Sequence, residues 1–314
     1  MLRKKRLQNK IAASRFSLPV SATLIAMIWV AVGFIKGDTW WAFLSTVIST
    51  LLMVELNNRN SLMRTYSRMV SCSFLVLVTM ASLPHPSLAS GLVTMCFIAF
   101  NLIIWNGYQD RQSAGTAFYA FLFMGIASMA FIQVAFILPF LWIVMMAFTN
   151  SFSLRTFLAS VIGFVTPYWF VAGYYAYHDQ LALIQTHLAS ITEIRRWSDY
   201  AGLTLHQTVN TAYIILLGLI GTVHFLRTSY ADKIRTRMIY ESVIMLFLLI
   251  VGFILLQPQH ILPLGGMMIV TVAPLIAHFI TFTQGRIANI SFIIMLTLTV
   301  ALLAFNLFFP DTTL

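Results

Sequence analysis

Side chains able to do chemistry are scarce in this sequence, and two places on the expected outer face stand out. Asp38 stands just past the first apolar run, beside Trp40 and Trp41. The stretch 178–206 carries His178, Asp179, His187, Glu193, Arg195, Arg196, Asp199 and His206. A carboxylate with a histidine can supply general-base chemistry, and paired arginines clamp a phosphate through bidentate bonds. Combined, Asp38 would be the catalytic carboxylate, and Arg195, Arg196, His178 and His187 would bind substrate, in an enzyme working on a lipid-linked phosphate. A plainer reading stands beside it. Trp, Tyr and His form belts where a membrane meets water, and the two arginines pair with Glu193 or Asp199. No spacing among these residues is diagnostic of a reaction. Neither His-x-x-x-His, His-x-x-Glu nor Cys-x-x-Cys occurs, and no phosphate-binding glycine loop, so no metal site and no cofactor is expected.

The elements that must position these residues follow from composition. The 314 residues are 60% hydrophobic and 9% charged, against about 25% charged in a soluble domain. A chain with so few charges cannot clothe itself for water, but it can for lipid. Apolar runs read as spans at 17–36, 39–55, 69–83, 87–106, 114–131, 133–148, 156–177, 207–227, 239–257, 263–282 and 289–309, against roughly 20 residues needed to cross a bilayer. The fold class is therefore all-α, a polytopic transmembrane bundle of about eleven spans. It forms one integral membrane domain over 1–314. The weakest boundary is around Phe131-Ile132-Gln133, which no charge, Gly or Pro marks; a re-entrant pair or a broken helix there brings the count to ten or nine.

Charge sets the orientation. With the N-terminus in the cytoplasm, sixteen of the nineteen Lys and Arg residues fall on the cytoplasmic side, and Lys36, Arg195 and Arg196 remain outside. Merging the fifth and sixth spans would invert every later loop and put Arg227, Lys233, Arg235 and Arg237 outside, so this stretch crosses twice or turns back. The basic balance is thus a topology signal confined to short loops, and nucleic acid is not an expected partner. Membrane lipids are, and other integral membrane proteins are open. Met1 to Arg6 before an apolar run also fits a signal peptide; a retained first span is the expectation. Cys72 and Cys96 lie at depths about 10 Å apart at 1.5 Å per residue, beyond disulfide reach.

The outer segment 178–206 places Leu181, Ile184, Leu188 and Ile191 at helical spacing, with Gln185 and Thr186 elsewhere, as in an amphipathic helix on the membrane surface with those four facing inward. It is a cap on the bundle or a functional lid. Within the spans, Glu55 with Arg59 and Arg237 with Glu241 have the i,i+4 spacing of helix-end ion pairs. His224 and His278 lie near the inner boundary as hydrogen-bonded structure. Asn101, Asn106 and Asn210 read as bonds between helices. No charge falls at mid-membrane, which removes the usual feature of an ion-coupled transporter.

Two stretches carry a resemblance. One is Leu56-Asn57-Asn58-Arg59-Asn60-Ser61-Leu62 with Thr65-Tyr66, opening a span that closes at Pro84; the other is Gly125-Ile126-Ala127-Ser128, through Phe136 and Pro139, to Ile162-Gly163-Phe164-Val165-Thr166-Pro167-Tyr168. Over roughly residues 50–180 the chain resembles an uncharacterised family of polytopic inner-membrane proteins from Bacteroidota. The resemblance implies a multi-pass fold in the cell inner membrane and no activity. Membrane glycosyltransferases that use polyprenyl-phosphate sugars also have an acidic residue in their first external loop, where Asp38 stands. Their loop is long and helical, whereas here two residues separate the spans. Three functions follow as expectations: an integral component of a cell-envelope assembly or biogenesis system, a lipid-linked glycosyl or group transferase at the external face, and a transporter or flippase. Whether the chain is an enzyme stays open at this point.

Orientation is directly testable. Cysteines introduced at Ser61 and Thr192 should be labelled from opposite sides of the membrane by an impermeant thiol reagent; labelling from one side would contradict the charge asymmetry.

Overall fold

The computed structural model describes residues 6–37, 39–192 and 202–309, and every helix or strand element among them is helical. Eight helices are long and apolar enough to cross a membrane, and three apolar segments are shorter. In chain order, a short helix α1 (Leu7–Ala13) precedes α2 (Ser17–Lys36), α3 (Trp40–Asn60), α4 (Met69–Ser82), α5 (Leu88–Ile104) and α6 (Ala114–Ala130). A 3₁₀ stretch (Ile132–Ile137), α7 (Leu138–Ile143) and a π turn (Val144–Phe148) form one segment; then come α8 (Leu154–Tyr177), α9 (Leu181–Ala189), α10 (Leu205–Thr228), α11 (Ile234–Leu256), α12 (Ile261–Phe282) and α13 (Arg286–Phe308).

Local chemistry sets the helix ends. Between α2 and α3 the chain turns on Gly37 at φ 76°, a left-handed conformation that glycine adopts freely. Ser153 and Thr204 each accept a bond from the backbone N–H three residues on, closing capping boxes with Thr156 and Gln207 that start α8 and α10. The Asn57-to-Leu62 motif is a helix stop. Ser61 is left-handed at φ 49°, and Leu62 N–H reaches back 3.4 Å to Asn57 O, as in a Schellman cap.

The ambiguous stretch after α6 resolves as a break. Phe131 is extended (φ −151°), and a new helical segment starts at Ile132. That segment returns to the starting end of α6, because Gln109 N–H donates to Thr149 O at 2.7 Å and Arg111 donates to Asn150. The 3₁₀ start rises about 2.0 Å per residue against 1.5 Å in an α-helix, so a short segment reaches further.

α12 is the centre of the bundle, with 78% of its apolar window buried against 22% for α2 and α8 and 17% for α13. It packs on α10, α4, α5 and α11. α6 and α8 form the tightest seam. A Cβ on Gly125 would lie 2.4 Å from Phe164 O, and one on Gly163 would lie 2.3 Å from Phe118 O. Ser128 and Tyr168 hydroxyls bond across the same seam at 2.8 Å. Small residues allow this approach, which in lipid replaces hydrophobic association. The Gly125-to-Ser128 and Gly163-to-Tyr168 motifs are thus two halves of one contact. Both cysteines are buried and free.

Gly163→Ala should therefore lower the thermal stability of the detergent-solubilised protein by about 1–3 kcal/mol, the usual cost of overpacking. Gly173→Ala in the same helix, with nothing within 4 Å of the new methyl, should not; equal melting curves for the two would contradict the seam.

Candidate functional site

Of the residues that suggested chemistry in the sequence, Asp38, Arg195 and Arg196 lie outside the described residues. His178 and His187 are described and stand apart from both recesses of the bundle. His178 ends α8, its ring 4.6 Å from that of Tyr174 and 5.3 Å from that of Tyr177. His187 on α9 turns inward, its Nε2 3.2 Å from the carbonyl oxygen of Ser128 on α6. Gln133 donates to Ser190 O beside it. The side of α9 nearest the bundle carries the half-buried Ile184, His187 and Ile191, while Leu181 and Leu188 stay about half exposed. Of the expected inward quartet, Ile184 and Ile191 are half-buried and Leu181 and Leu188 are not; His187, with its contact to α6, takes a place on the inner side instead.

A charged cluster that the sequence reading passed over lies at the opposite end. The Asp232 carboxylate is fully buried, with Arg64 Nε 2.9 Å from one oxygen and His278 Nε2 3.2 Å from the other. The arginine contact is a charge pair without an aligned hydrogen bond. The Arg64 guanidinium also lies 4.2 Å over the Phe282 ring. Phe225, Tyr240, Phe282 and His224 surround the His278 ring at 4.6–5.4 Å. His278 Nδ1 and His224 Nε2 have no hydrogen-bond partner. Next to this clamp, Arg235 donates 3.1 Å bonds to Asn60 Oδ1 and to Trp105 O, meeting a carbonyl that the end of α5 leaves open. These bonds tie the α3–α4 loop, the α10–α11 loop and α12 together. The one signal in the sequence is Asp232 itself, a carboxylate inside a strongly basic loop.

The far end has its own tie. His206 Nδ1 lies 2.9 Å from Asn306 Oδ1, and Asn306 Nδ2 donates to Met80 O and Asn210 Oδ1. Asn210 thus bonds between helices as expected. Asn101 and Asn106 instead bond carbonyls one turn back in their own helix. Glu55–Arg59 and Arg237–Glu241 are not among the ion pairs of the described residues.

Two recesses remain. The first opens near His85, between α3, α4, α5, α10 and α12, and is walled by Ser45, Thr46, Ser90, Thr94 and Asn210. The four hydroxyls all donate to backbone carbonyls, so what they offer inward is oxygen lone pairs. Its volume of about 50 Å³ suits a few water molecules and falls far below the roughly 300–1,000 Å³ of ligand sites. The second is a groove of about 380 Å³ between α2 and α13, floored by α4, α10 and α12. Val20 and Leu24 on one wall and Phe292, Met295 and Leu296 on the other make it almost wholly apolar. It opens sideways between α2 and α13, and further along Leu303 and Leu307 of α13 pack on the cluster that Ile25, Trp29, Leu75 and Leu83 of α2 and the α4 region form.

No family model matches the chain, and neither a curated protein nor a solved structure is significantly similar to it. The chain is a helical bundle of membrane character, with two polar clamps at its ends and one apolar recess in its side.

The clamp gives an unequal pair of variants. Arg64→Gln leaves a buried carboxylate without its cation and should cost about 3–5 kcal/mol. Asp232→Asn should cost less, because the Arg64 side chain keeps a third of its surface exposed and can turn to water. The double variant should melt close to Asp232→Asn alone. If Arg64→Gln melts like wild type in detergent, the clamp does not hold the loops.

Proposed function

We propose that this chain is a multi-pass protein of the cell inner membrane that serves as an integral component of a cell-envelope assembly or biogenesis system. It crosses the membrane eleven times, with its N-terminus and the 227–237 loop in the cytoplasm. Support for the count comes from the contacts at each end. Arg64, Asp232 and His278 meet at one end, as do Arg111 with Asn150 and Gln8 with Thr283. At the other, His85 meets Thr204, His260 stacks on Phe131, and Gln133 meets Ser190. Alternating passes of all eleven apolar segments produce that partition, and the positive-inside rule assigns the first end to the cytoplasm. Membership of the uncharacterised Bacteroidota family belongs to the same proposal, since the residues that carry the resemblance are those of the α3 stop and the α6–α8 seam.

The observation that carries the role is the groove between α2 and α13. Unlike the hydroxyl-lined recess, it has the volume of a ligand site, and it faces sideways. A component that engages an apolar element within the bilayer needs such a surface. Group transfer at the external face would use the region of His178 and His187, and those side chains are engaged with Tyr174, Tyr177 and the Ser128 carbonyl.

Complementation of a deletion strain tests this. Loss of the protein should sensitise cells to detergent, and wild type should restore resistance. The His178→Ala, His187→Ala double variant should restore it too, whereas Ser73→Trp, which fills the groove, should fail at normal membrane abundance. The opposite pattern would favour the transferase reading. A deletion with no envelope defect would overturn the proposal.

A further inference from the structure

We infer that the groove is a binding site for one acyl chain of an anionic phospholipid, whose phosphate is held by Arg15 and Arg68 at the mouth. This rests on the reading of the groove as the working surface and names its occupant. Length is the first reason. The groove follows α2 from Ser17 to Leu24 and α4 from Met69 to Leu77, which is roughly 10–12 Å at 1.5 Å per residue. That is less than half of a hydrocarbon core of about 30 Å and fits within one leaflet. A transmembrane helix of a partner would run the full depth, but the groove closes where Leu303 and Leu307 pack against the α2–α4 cluster. The lining is the second reason. An apolar cavity of about 150 Å³ stays dry and takes up small hydrocarbons, and this one is larger at about 380 Å³ and opens on the lipid side. Water has almost nothing to bond there, so hydrocarbon fills it.

The third reason is charge beside one end. Arg15 lies with its guanidinium 4.9 Å over the ring of Phe16, which lines the groove. Arg68 is the cap residue of α4, directly before Met69 of the floor, and its Nε bonds the Tyr66 hydroxyl at 2.9 Å. Two cations, each next in the chain to a lining residue where α2 and α4 begin, beside an apolar slot that fits within one leaflet match a lipid with a phosphate head and a hydrocarbon tail. Under the topology proposed above, that lipid is in the cytoplasmic leaflet.

Native mass spectrometry of the purified full chain, delipidated and then offered phosphatidylglycerol, phosphatidylethanolamine or diacylglycerol at equal concentration, tests the inference. One phosphatidylglycerol per chain should be retained, at least several-fold more than either competitor. The Arg15→Gln, Arg68→Gln double variant should lose that preference, while Arg155→Gln should keep it. Ser73→Trp should retain no lipid; because Ser73 is packed inside, Leu296→Trp at the exposed lip serves as a second blocking variant and should lose most of it. Equal retention of the three lipids, or full retention in both blocked variants, overturns the inference. If lipid is not retained but complementation still depends on the groove, the occupant is a partner helix and the inference falls alone. If lipid is retained but complementation ignores the groove, the functional reading falls and the lipid site stands.

Discussion

A fully buried carboxylate must be paired, and most of this bundle's architecture at one end follows from how Asp232 meets that requirement. Its two oxygens face Arg64 from the α3–α4 loop and His278 from α12. Leaving a charge unpaired in such surroundings costs several kcal/mol, so three chain segments distant in sequence must converge. Arg235 extends the tie to α3 and the end of α5. The central helices are thereby fixed at their ends by charge and along their length by apolar packing. The helices outside this clamp have more freedom of placement. α2 is held to α4 by the Trp29 to Thr79 bond, and α13 to α10 by the Tyr213 hydroxyl, which bonds Met295 O and Thr299. Each leans on the core separately, and the space left between them is the groove.

The two recesses show how lining chemistry separates a structural space from a binding one. Where Ser, Thr and Gly line helix contacts, hydroxyls spend their protons on carbonyls, one turn back for Ser45, Thr46 and Thr94 and across to Leu262 O for Ser90, and the helices approach closely. A Cβ on Gly266 or Gly91 would collide with Thr94 or Ser45. The hydroxyl-lined space is a by-product of that packing, and its small volume fits water alone. Where Phe292, Met295 and Leu296 line the wall there is no polar seam to draw α2 inward, so the space stays open and apolar.

The outline of the apolar segments was legible in the sequence because lipid as solvent imposes a composition on each one and a sign on the loops between them. The break at Phe131 had no local mark, and only the charge asymmetry beyond it required the chain to turn. The clamps were not legible, since Arg64, Asp232 and His278 carry no common spacing and come together only through tertiary packing. α1 was missed for a related reason. Its seven residues have little apolar periodicity, and it is held instead by Gln8, which donates to Ile280 O and Thr283 at 2.7 Å. α9 was legible as a helix but not in its rotation, which one hydrogen bond from His187 decides. Candidate chemistry was the least legible. His178 and His187 have the right types but are engaged with neighbouring rings and a carbonyl, and Asp38, Arg195 and Arg196 fall outside the described residues.

Lipid contact takes two forms on this surface, and shape distinguishes them. α8 presents Trp169, Phe170, Tyr174 and Tyr177, all more than 60% exposed, and none of them lines the groove or the hydroxyl-lined recess. Aromatic rings there sit at the level where hydrocarbon meets headgroups, and any lipid satisfies them. The α2–α13 side is concave, is closed further along where Leu303 and Leu307 pack on the cluster of α2 and α4 residues, and has Arg15 and Arg68 beside one end. An exposed apolar face has no means of selecting among lipids, because every tail offers the same surface. A blind slot with a charged rim selects by tail depth and head charge together. Differential recognition needs an interaction that the wrong partner leaves unsatisfied, and the groove with Arg15 and Arg68 beside it supplies one.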